Sequence, residues 1–261
     1  MVLRLVLFLV FILPLQAQEG WLTTPVPNSP PVNQLRTSGN ACGPACLLDA
    51  FRSGSKKWQT SIAQIEGKSD SQKIIGVIKA YGKKGSHLDP KRARWNTRQG
   101  VSAQDLVSMA NEMRTGMWMG TVKQALFFPK GRETSPDLLQ TTHQKLSKSL
   151  NKGLPPILAV RRVALRAPSR NTPPLWLTVK RHFVVLTGLP AKLPKNATSF
   201  RVTYHDPWGG KECQGIIRIT DHQTRTLGTL IAEFPDSKIG RDLIRRGEST
   251  ELSLASAIGL F

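Results

Sequence analysis

Cys42, His182 and Asp206 are of the types that carry covalent acyl transfer, and their placement in this 261-residue sequence suits that work. A cysteine attacks as its thiolate, so it needs a lowered thiol pKa, a base within reach and donors for the oxyanion. Cys42 stands near the head of NACGPACLLDAF (residues 40–51), a segment with Ala45, Leu47, Leu48 and Phe51 on one apolar face. Gly43 and Pro44 suit a first helical turn. Cys42 is therefore expected at a helix N-terminus, where the positive dipole end favours thiolate and its own N–H faces the site. Asn40 or Ser38 is the expected cap and Gly54 the expected stop. His182 opens the apolar strand HFVVLTGL (residues 182–189) and supplies the base. Asp206 ends the next strand, before Pro207, Gly209 and Gly210 turn the chain. Neighbouring strands joined through residues 190–197 bring His182 and Asp206 side by side, with the carboxylate orienting the imidazole. Each residue also has a plainer reading, as a core thiol, a core histidine or a turn aspartate before proline. The three together favour chemistry.

The elements that must position these residues fall into two halves. Apolar positions at helical spacing run from Ile62 to Tyr81. Residues 102–116 predict a helix with Ser102 as cap and Asp105 three residues on, ended by Gly116. Residues 135–153 predict another, opening at Ser-Pro and closing at Gly153. After Gly153 the texture turns to strands at 155–165, 175–189, 199–207 and 215–221, with a Pro-rich hairpin loop at 167–174. The plan is α+β. Residues 227–234 read as either strand or helix, and the last forty residues have no firm reading. His205, next to Asp206, is expected on the opposite strand face. Trp208 reads equally as a cleft wall or as closure of the turn.

In order, NACGPACLLDAF, SAQDLVSMANEM (residues 102–113), NKGLPPILAV (151–160), RHFVVLTGL (181–189) and VTYHDPWGG (202–210) resemble one branch of the papain-like cysteine peptidases. That branch holds the peptidases that cut double-glycine leaders from bacteriocins, and their stand-alone relatives. The resemblance covers residues 34–220. It implies a papain-like fold, with a helical half whose nucleophile helix packs on a C-terminal antiparallel sheet, and a single peptidase domain over 34–261. It also implies Cys42 as nucleophile, His182 as base and Asp206 as orienter. The family places an oxyanion-hole Gln about six residues before the cysteine, where this chain has Arg36. Gln34, two residues upstream, is the substitute if the loop is longer here, and Asn40 is the fallback.

The first eighteen residues carry Arg4, an apolar run from Leu5 to Leu13, Pro14 and Ala17, the pattern of a signal peptide over residues 1–17. Residues 18–33 read as an extended lead-in. The mature chain is expected to begin near Gln18, to be secreted or periplasmic, and to lack a membrane anchor. Three cysteines do not make a disulfide scaffold; Cys46 reads as core, and Cys213 as a surface thiol or a partner for Cys46. No zinc-type spacing appears, so neither metal nor cofactor is expected. Lys and Arg number 37 against 17 Asp and Glu, for a formal charge of +20. These residues are scattered and carry no nucleic-acid motif, which reads as a basic exported protein with an anionic cell-surface polymer as candidate partner. A peptide or protein is the expected substrate. An amidase of cell-wall peptides or a transglutaminase-like acyl transferase, and a non-catalytic peptide-binding module, are the competing readings. No P-loop follows in these 261 residues, so a stand-alone peptidase rather than the transporter-fused form is expected.

Overall fold

A computed structural model gives the structure of the chain and describes residues 20–37, 39–114, 116, 118–169, 171–220 and 230–261. The expected signal peptide and cleavage site, the Ser38 cap, His222 and the start of the 227–234 segment lie outside the described residues.

Helices come first. α1 (Cys42–Arg52) is followed by α2 (Lys56–Ala63) and α3 (Asp70–Val77), the last continuing as a π-helical turn over Ile78–Gly82. The single helical period read from 62 to 81 is thus broken. Ser69 and Gln72 form a capping box at the break, which starts a new helix there. α4 (Ala103–Met113) begins where Ser102 accepts from the Asp105 N–H. α5 (Ser135–Asn151) begins at a capping box between Thr134 and Asp137, with Pro136 in its first turn. Among the described residues no helix is long and apolar enough to cross a membrane.

The strands are β1 (Trp21–Thr23), β2 (Trp95–Asn96), β3 (Gly100–Val101), β4 (Lys123–Leu126), β5 (Ile157–Arg166), β6 (Leu175–Pro190), β7 (Ser199–Asp206), β8 (Lys211–Ile219), β9 (Leu230–Glu233) and β10 (Thr250–Gly259). β2 and β3 form a small separate hairpin. The rest make one antiparallel system in the order β6-β5-β10-β9-β8-β7, and β7 pairs back onto β6. The ring is closed. β1 extends β6 at its far end and β4 lies on β10.

This corrects the sequence reading. A papain-like fold, with the nucleophile helix packed on a C-terminal sheet, was the expectation for this α+β chain. What forms is a closed six-stranded antiparallel barrel with five short helices, in which sheet outweighs helix. Two physical causes act together. β10, in the segment that had no firm reading, inserts between β5 and β9 and supplies the missing staves. Register shifts at Arg162/Val163, Leu186/Gly188 and Leu254/Ser256 bend the strands, as bulges do, until β6 meets β7. The bend at Gly188 needs its missing side chain: a Cβ there would lie 2.5 Å from Trp21 Nε1 and 2.7 Å from Thr203 Oγ1.

One core draws on all six barrel strands, with Leu158, Leu186, Tyr204, Cys213, Ala232 and Leu254 among its members, so it fills the lumen. Leu139 and Leu146 of α5 join it. The other core lies outside the wall, where α1 and α4 pack on Ile157, Phe183, Val185 and Ile258. Alternate residues of β6 therefore serve two cores: Phe183 and Val185 the outer one, Val184 and Leu186 the inner.

Candidate active site

The β6–β7 ladder ends at Val185↔His205, so the edge of β6 before Val185 is free on that side. The N-terminus of α1 fits into this gap. Cys42 hydrogen-bonds His182 there and also meets the backbone of Phe183. His182 follows the lumen-facing alternation of Val184 and Leu186, and Asp206 follows that of Tyr204. Their side chains meet with His182 Nε2 2.7 Å from Asp206 Oδ1. Both residues are buried, at 3% and 2% exposure. With Nε2 turned to the carboxylate, Nδ1 is left for the thiol. Asp206 Oδ1 also accepts from the Trp208 N–H at 2.9 Å, so Trp208 ties down the turn through its backbone while its ring stays exposed.

The electrostatics follow from this geometry. Burial alone would raise the Cys42 pKa, but the hydrogen bond and charge of His182, with the backbone at Phe183 and Gly43, outweigh it and hold the thiol below its ordinary value. Burial alone would lower the His182 pKa; the hydrogen bonds to Asp206 and Cys42 push it up to about 9. Each group thus favours the charged form of the other, a thiolate beside an imidazolium. Cys46, one helical turn on, is the contrast. Burial, then the negative charges of Cys42, Asp49 and Asp206, push its thiol well above the usual range. All three cysteines are free thiols, and Cys213 is buried opposite Tyr204 in the lumen rather than on the surface.

The two oxyanion candidates are placed differently. Gln34 lies in a 3-10 turn (Gln34–Arg36) and is only 4% exposed. Its N–H donates to the Pro207 carbonyl at 2.9 Å, which fixes it beside the Asp206 turn. Its side-chain oxygen is buried with no hydrogen-bond partner among the described residues. Asn40 Nδ2, by contrast, donates to the carbonyls of Thr97 and Arg98, at 3.3 and 2.6 Å. Nor does Asn40 cap α1: Ala41 holds that position without a side-chain bond. Asn40 instead binds the approach to Cys42 against the β2–β3 hairpin, where the Trp95 indole donates to its carbonyl at 2.9 Å. Gly43 lets that hairpin come close, since a Cβ there would lie 2.3 Å from Val101 Cγ1.

A second buried couple escaped the sequence reading. His205 Nδ1 lies 3.0 Å from Asp49 Oδ1, and both residues are 1% exposed. Asp49 also accepts from the Val32 N–H at 3.3 Å and from Ser53 Oγ at 3.2 Å. The available signal was the i, i+7 spacing that puts Asp49 on the same face of α1 as Cys42, together with the alternation that turns His205 outward. His143 binds the Pro190 carbonyl at 2.7 Å, away from the triad. Among the described residues no cluster is suited to hold a metal ion. A cavity of about 1160 Å³ opens elsewhere, between Trp21, Arg201, Thr203, Gln214, Arg218 and Glu233; none of Cys42, His182 and Asp206 lines it. No known family model and no curated protein matches this chain.

Proposed function

We propose that the protein is an exported cysteine peptidase that cuts peptide bonds through Cys42, His182 and Asp206. One observation carries the reading: a thiol at a helix start, an imidazole and a carboxylate stand in hydrogen-bonded sequence, with pKa shifts of thiol and imidazole in the directions nucleophilic catalysis requires. The Cys42 thiolate attacks the scissile carbonyl carbon, and the carbonyl π electrons move onto oxygen. The Cys42 N–H, with Gln34 as side-chain donor, stabilises that oxyanion. His182 then gives its proton to the leaving amine as the C–N bond breaks, leaving a thioester on Cys42. Water attacks the thioester while His182 takes its proton, and the acid product leaves as the thiolate re-forms. Asp206 holds the imidazole with Nδ1 toward sulfur. The likeness of the motifs to those of leader-cutting peptidases points the same way. The charge of +20 favours, as a second reading, an amidase of wall peptides held at an anionic surface by the same thioester chemistry.

The test is labelling of Cys42 with iodoacetamide, followed by a peptide-library screen of the native chain, Cys42→Ala and His182→Ala. Turnover confined to the native chain is the expected result. Cleavage that survives Cys42→Ala, or a Cys42 no faster to alkylate than Cys46, would overturn the reading.

A further inference from the structure

Two arginines stand directly opposite each other beside the proposed nucleophile. Arg161 of β5 pairs in register with Arg181 of β6, two residues along from Ala159↔Phe183 and without a register shift between. Side chains two apart share a strand face, so Arg161 and Arg181 lie on the face of Phe183, the face that α1 covers. α1 itself gives the direction. Cys42 meets the backbone of Phe183, and Asp49, seven residues on, meets His205 opposite Val185. The helix therefore advances along β6 from Phe183 toward Val185, and Arg181 lies the other way, past the first residue of the helix. The step from Phe183 to Arg181 is about 7 Å, two strand residues at roughly 3.3 Å each.

Like charges directly opposite in a sheet destabilise it. Other arginines of the barrel have acids: Arg166 holds Glu248 at 2.6 Å, and Arg218 holds Glu233. Neither the Arg161 nor the Arg181 guanidinium has a hydrogen-bond or ion-pair partner among the described residues. Burial, then the charge of Arg181, pull the pKa of Arg161 down, so the charged neighbour that acts on it is another cation. Arg181 is exposed and Arg161 half-buried, which leaves both forks accessible from outside.

We infer that Arg161 and Arg181 form a carboxylate-binding subsite beside Cys42, and that the preferred substrates are peptides with a carboxylate about two to three residues from the scissile bond. A planar carboxylate satisfies both guanidinium forks and removes the like-charge strain. The inference deepens the peptidase reading and rests on it for the substrate class, while the cationic subsite itself is testable without turnover.

The experiment has two arms on the full chain. In the first, kcat/KM is compared for peptides matched except for Asp against Asn at each position within four residues of the cut, and for free-acid against amidated C-termini. A preference of about 10-fold or more for the acid at one position is expected, as one charge-assisted contact gives. The C-terminal series tells a side-chain carboxylate from a terminal one. Arg161→Gln with Arg181→Gln should bring the acid-to-amide ratio near one, and Arg161→Glu with Arg181→Glu should move the preference to Lys. In the second arm, Cys42 is alkylated by iodoacetate and by iodoacetamide, and the ratio of rates should fall several-fold in the Gln variants. If no peptide is turned over but that ratio falls, the peptidase reading is lost and the cationic subsite stands. If acids are not preferred and the ratio is unchanged, the subsite is overturned.

Discussion

At the scale of single residues, the Cys42–His182 pair fixes a pH window. The thiol is held below its ordinary value and the imidazole is raised to about 9, so the thiolate–imidazolium form exists between those two limits. Turnover should rise with pH as the pair loses its first proton, and fall through about 9 as the imidazolium gives up its own; both limbs belong to the pair. Asp206→Asn removes the hydrogen bond that most raises His182. The alkaline limb should then move to lower pH and kcat should drop at least about 10-fold. A pH–rate profile of both proteins checks this, and an alkaline limb that stays at the same pH in Asp206→Asn would separate Asp206 from His182. Cys42 and Asp206 were legible in the sequence because each sits at an element end that local pattern predicts; His182 was legible by its type and by the apolar run after it, although it lies in the middle of β6 rather than opening the strand. Asn40 was misjudged because its commitments, the carbonyls of Thr97 and Arg98, lie almost sixty residues away.

At the scale of elements, α1 is held at both ends, and each hold can be released separately. His205 on β7 grips Asp49 far along the helix. His205→Ala leaves a buried carboxylate without its imidazole and should lower the unfolding free energy by about 3 kcal/mol, read from urea denaturation. A loss under about 1 kcal/mol would mean that the couple does not fasten the helix to the barrel. At the other end the β2–β3 hairpin presses on Gly43. Gly43→Ala drives its methyl into Val101 and should displace the start of α1, cutting kcat more than stability; adding Val101→Ala should restore part of the activity. If the double variant is no better than Gly43→Ala, the contact is not what sets the position of Cys42. α1, α4, α5 and β5 to β8 were readable because each carries its own period and its own stops, whereas α2 and α3 were run together or missed. Asp49–His205 and Arg161↔Arg181 were not, since both depend on which strand lies beside which, and the β5–β6 register carries a shift that no local pattern announces.

At the scale of the whole molecule, the barrel depends on the strand that the sequence hid best. β10 reads TELSLASAIG, with Ser253, Ala255, Ser256 and Ala257 where a strand usually shows β-branched or aromatic residues. Its place is set by burial between β5 and β9 rather than by propensity, so the sequence pointed to an antiparallel sheet without the strand that closes it into a ring. Leu252 and Leu254 carry that burial: both belong to the core shared by the six barrel strands, and Leu254 is fully buried. Leu254→Ala empties buried volume in the strand that joins β5 to β9 and should lower the unfolding free energy by about 3 kcal/mol, read from urea denaturation. A loss under about 1 kcal/mol would show that the burial of β10 is not what holds the ring together.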